Sequence, residues 1–158
     1  MALKGNRHIF KSDITYFMNE VAERGGMTVY SGSGSGAAMD QAIALVTYTV
    51  VSGSKPAGLL LCDMVNYDLT RQHLNHHKNE MQMGSKVEIM THGWVVTNKI
   101  AAGIQPAAGQ AAYMVISGSG NLSTSASQLP VQASLDRVGR FLSGKDEDGY
   151  AKVEINLT

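Results

Sequence analysis

His73, His76, His77 and Glu80 are the residues of this sequence whose types and spacing come closest to doing chemistry. On a helix, His73 and His77 share one face at i, i+4 spacing, and Glu80 adds a possible oxygen ligand for a metal. A zinc hydrolase of that kind carries Glu directly after its first histidine, to act as general base. Here that position is Leu74. The expectation is therefore a polar, interface-facing segment whose histidines make ordinary hydrogen bonds, with no metal and no hydrolysis.

The other chemical patterns are weaker. Thr28-Val29-Tyr30 runs into Gly32, Gly34 and Gly36, which imitates a strand entering a dinucleotide loop. That fingerprint needs a helix next and an acidic residue about 20 positions on. The glycines here alternate strictly, and the following Ala42–Val51 reads as a strand. No Gly-Lys-Ser/Thr occurs, which excludes a Walker loop. Asp146, Glu147 and Asp148 form too short a cluster for a calcium loop; ending in Gly149, they read as a charged hairpin tip. Cys62, the one cysteine, follows Leu59-Leu60-Leu61 and reads as a buried thiol with no marked histidine base. Trp94, the sole tryptophan, reads as a core anchor. Taken together, these residues point to no enzyme and no cofactor.

The chain that must position these residues has 158 of them, enough to bury roughly 70% of its unfolded surface without a disulfide or metal. Thirteen basic residues balance thirteen acidic ones. A sequence-independent nucleic-acid binder needs a basic surplus, so nucleic acid is not an expected partner. No stretch reaches the ~18 apolar residues of a membrane span, and Met1–Lys11 lacks the apolar segment of a signal peptide. The expectation is a protein made in a cytoplasm, with no membrane partner.

Residues 1–13 carry Lys4, Gly5, Asn6, Arg7 and Lys11 with few apolar anchors, which predicts a mobile, extended N-terminal arm. Residues 14–158 then form a single β-rich domain. Strands are expected at Met27–Tyr30, Ala42–Val51, Leu59–Leu61 and Ala112–Ile116. Lys86–Met90 and Trp94–Thr97 read as a hairpin turning at Thr91-His92-Gly93. The clearest pair is Val138–Leu142 and Tyr150–Leu157. In the second of these, Ala151, Val153, Ile155 and Leu157 alternate with Tyr150, Lys152, Glu154 and Asn156, the pattern of a strand packed on one face and wet on the other. Many short strands, glycine-rich turns and no long amphipathic helix predict a compact antiparallel all-β barrel or sandwich.

Long ordered stretches also resemble a known family. Pro56–Leu61, Asp63–His73, Gly93–Asn98 and Val138–Val153, with Ala22–Gly26 and Ser35–Gln41 upstream, are similar to tailed-bacteriophage virion structural proteins of the capsid decoration, or cement, type. The resemblance runs from about Tyr16 to Leu157 and is loosest at Ser117–Asp136. It implies a β-tulip-like fold, commonly trimeric, with no catalytic residues. It also implies a location on the outer capsid surface of the virion and the major capsid protein as partner. A tail, collar or fibre-base adaptor, or a virion-surface carbohydrate-binding module using Trp94, is the alternative. The expected capsid or subunit contacts are Arg7 and Lys11 on the arm, and Asn66, Tyr67, Asp68, Arg71, His73 and His77 in the polar segment. Arg and Tyr are typical interface anchors there.

Overall fold

The computed structural model describes residues 2–33, 44–63, 80–116, 119–128, 133–134 and 136–157. Among these, all regular structure is strand: β1 Leu3–Met18, β2 Ala22–Glu23, β3 Met27–Ser33, β4 Ala44–Thr47, β5 Pro56–Asp63, β6 Glu80–Met81, β7 Lys86–Thr97, β8 Ala111–Met114, β9 Leu122–Ser123, β10 Ser127–Gln128, β11 Ala133–Ser134, β12 Arg137–Phe141 and β13 Ala151–Asn156.

β7 organises the fold because it is long enough to serve three neighbours. β1 runs antiparallel along one edge, from Leu3 opposite Thr97 to Phe17 opposite Lys86. β5 takes the other edge at Val87–Met90, and β13 takes it at His92–Thr97. From β5 the pairing passes through β3 and β4 and returns to β1, where Tyr16–Met18 lie parallel to Ala44–Val46. From β13 the sheet continues through β12 and β8 to β9.

The sequence reading placed a turn at Thr91-His92-Gly93, and the structure corrects it: β7 passes through without reversing. Gly93 has φ +149°, and a Cβ there would lie 2.3 Å from the His8 carbonyl oxygen. Its glycine is required by the close approach of β1, not by a hairpin. The first residues differ from expectation too. Residues 3–13 lie in β1 and pair with β7 rather than standing off as an arm. Of this stretch only Leu3 and Ile9 reach the core, so main-chain pairing holds it, and side-chain polarity gives no hint of that.

Two apolar clusters flank β5, whose Ala57, Leu59, Leu60 and Leu61 are all buried. Leu59 and Leu61 join Met27, Val95, Phe141, Val153 and Ile155 on one side. Leu60 joins Met18, Val46, Val87 and Ile89 on the other. A strand buried on both faces reads as a continuous apolar run, as Leu59–Leu61 does. Cys62, next in line, is only partly buried, and its thiol donates to Glu88 Oε2 at 3.3 Å.

Tyr48 ties the second cluster to the loop after β2. Its hydroxyl accepts from the Gly26 amide at 3.0 Å and donates to the Glu23 carbonyl. Removing that oxygen strands a buried N–H, so Tyr48→Phe is expected to cost about 1–3 kcal/mol of unfolding free energy, read by denaturant titration. Burial also holds the phenol far above its ordinary value of 10.0. Unfolded tyrosine ionises near that value while folded Tyr48 does not. Its contribution is thus complete below the unfolded pKa and declines as pH rises beyond it. Tyr48→Phe should flatten that alkaline loss.

Candidate interface on the solvent face of the sheet

Strand alternation builds the candidate surface. In β13, Ala151, Val153 and Ile155 are buried, which turns Lys152 and Glu154 to the opposite face. In β7, Gly93, Val95 and Thr97 take the buried parity, which turns His92, Trp94 and Val96 outward. In β1, His8 and Phe10 are exposed. Registry then aligns His8 with Trp94, Trp94 with Glu154, and Glu154 with Arg140 of β12, one ladder across four strands. Directly opposed residues in such a ladder share a face.

The ladder carries an aromatic row. The Phe10 ring lies edge-on to His8 at 4.4 Å and tilted against His92 at 5.0 Å. Phe10 nonetheless remains 64% exposed, so its largest apolar surface is in water. The Lys152 ammonium sits 3.6 Å from the Trp94 ring centroid, a cation over a π face. Trp94 is therefore not the core anchor read from the sequence; it is partly buried beneath Lys152 on the solvent face. The reason is parity alone, since Val95 next to it fills the core position.

Beyond the aromatic row, β12 and β13 enclose an open groove of about 430 Å³ lined by Arg137, Gly139, Arg140, Glu154 and Asn156. Arg140 Nε pairs with the Glu154 carboxylate, and Arg137 Nε donates to the Gly139 carbonyl at 3.2 Å. At the end of the same hairpin, Asp146 accepts from the Asp148 and Tyr150 amides at 3.1 and 2.8 Å. It also meets Lys4 Nζ of β1 at 2.9 Å. The Lys4 ammonium and these amides hold its carboxyl below the usual carboxylate range. The acidic cluster thus has a structural use, with Asp146 organising the turn, as the charged-tip reading anticipates.

Of the residues expected from sequence as contacts, Arg7 and Lys11 lie exposed in β1. Asn66, Tyr67, Asp68, Arg71, His73 and His77 lie outside the described residues. Among the described residues, no group of three His, Cys, Asp or Glu side chains could hold a metal ion. His8, Phe10, His92 and Arg140 were not singled out by sequence reasoning. Alternation in β7 and β13 carries part of their signal, but only strand registry reveals that they adjoin.

Comparison with known proteins gives one family. A family model described as "Structural cement protein (E217 gp24/Pam3 gp6)" matches residues 11–156. No curated protein matches the chain.

Proposed function

Because the chain belongs to the phage structural cement protein family, we propose that it binds the outer surface of the mature head and bridges neighbouring major capsid subunits. The observation that carries this reading beyond family membership is the exposed Phe10 in its row with His8, His92 and Trp94. Aromatic and arginine side chains dominate the centres of protein interfaces, and a row of them on a sheet face offers a flat footprint rather than a reactive cleft.

The mechanism is adhesion. A homo-oligomer, in our reading a trimer, presents this footprint several times around a local symmetry axis. A stable contact buries roughly 1,200–2,000 Å², and repeated weak contacts add through effective concentration. Affinity for the expanded shell alone stabilises that state by mass action, with no bond made or broken.

The test is co-sedimentation of the purified protein with empty expanded heads, with isolated tails and with host surface glycans. Retention on heads alone is the expected result. Retention on tails would replace the reading with that of a tail, collar or fibre-base adaptor. Retention on glycans would replace it with a carbohydrate-binding module. Light scattering of the free protein reports whether it is a trimer.

A further inference from the structure

Two sets of cations among the described residues differ in their partners. Lys4, Lys55, Lys99 and Arg140 each meet a carboxylate, on Asp146, Asp136, Glu23 and Glu154 respectively. Arg137 and Lys152 meet none among the described residues, although both border the groove or the aromatic row. Among the described residues lining the groove, then, Arg137 and Arg140 stand against the carboxylate of Glu154, with Lys152 two residues from Glu154 along β13. Both arginines are anchored through Nε, which fixes the planes of their guanidinium groups. Gly139, which carries no side chain, lines the groove beside them. Two fixed forks match the geometry of a carboxylate.

We propose that this groove receives the carboxylate side chains of an extended acidic segment of the shell protein, whose neighbouring residues lie over Phe10 and over the Lys152 side chain that covers Trp94. The inference rests on the cement reading and names the chemistry of the partner. The ladder from His8 to Arg140 makes three inter-strand steps, roughly 14 Å, which about four residues of extended chain span. A peptide carboxylate fits better than a nucleic-acid phosphate. The chain has no net charge, and Glu154 within the groove opposes a polyanion.

The test compares wild type, Arg137→Gln, the double variant Arg137→Gln with Arg140→Gln, and Phe10→Ala, each titrated onto expanded heads across a salt series. Wild-type binding should weaken as salt rises. The double variant should bind about tenfold more weakly at low salt and lose most of that salt dependence, with Arg137→Gln intermediate. Phe10→Ala should weaken binding and keep the wild-type salt slope. Thermal melting of each variant separates lost contact from lost folding, and Arg137→Gln removes no ion pair among the described residues. A double variant matching wild type in affinity and slope overturns the inference while leaving the cement reading intact. A changed oligomer mass overturns it by assigning the groove to contacts between copies. Failure of the wild type itself to bind heads ends the cement reading, and this inference with it.

Discussion

Phe10→Ala is expected to leave the protein folded and to weaken its attachment to expanded heads by on the order of 30-fold, about 2 kcal/mol, the scale of an aromatic interface anchor. The physical basis is that Phe10 contributes little to the fold. It is 64% exposed, and its ring contacts are with His8 and His92 on the same solvent face. Truncating it opens no cavity in either apolar cluster. What it removes is apolar surface that only a partner covers. A binding isotherm on heads and a melting curve read the two halves of the expectation. Wild-type affinity in the variant would remove Phe10 from the interface, and a lowered melting temperature would give it a folding role instead.

Gly139→Ala is expected to be the most damaging small substitution in the described sheet. The added methyl would meet the Glu154 carbonyl oxygen at 1.8 Å and the Glu154 carbonyl carbon at 2.9 Å. Both belong to the backbone, so no rotamer change relieves the clash. β12 must move away from β13, disturbing the opposition of Gly139 with Ile155 and Phe141 with Val153. Phe141, Val153 and Ile155 are all fully buried, so the shift reaches the core directly. The cost should be on the order of 3 kcal/mol, at the upper end for overpacking, measured by denaturant titration. Gly5→Ala is the control. A Cβ there meets nothing within 4 Å, and stability should stay within about 0.5 kcal/mol of wild type. Equal stability of the two variants would show that β12 and β13 have more slack than their geometry implies.

What the sequence revealed and what it hid follow from how local each signal is. The β12–β13 hairpin was legible because Ala151, Val153 and Ile155 alternate with Lys152 and Glu154, and because the Asp146–Gly149 turn lies between its strands. The strand at Leu59-Leu60-Leu61 was legible in its apolar run, while its burial on both faces emerges only from the two clusters around it. The stretch of β1 over residues 3–13 was not legible, because its hold on β7 is made of main-chain hydrogen bonds, which its polar side chains do not advertise. Gly93 was read as a turn because a glycine that relieves a clash with another strand looks, in one dimension, like one that reverses the chain. Trp94 was read as core because size suggests burial, whereas the parity of β7 decides it. The candidate interface assembles residues 8 and 10, 92 and 94, and 140, 152 and 154. No local pattern joins positions so far apart; registry does.

The most direct measurement is a cryo-EM map of purified phage particles carrying this protein. The account predicts its density on the outside of the expanded head, with the face bearing Phe10, Trp94 and Arg140 turned onto major capsid subunits on both sides of their boundary. Density confined to the tail, or a head-bound protein whose aromatic row points to open solvent, would contradict it.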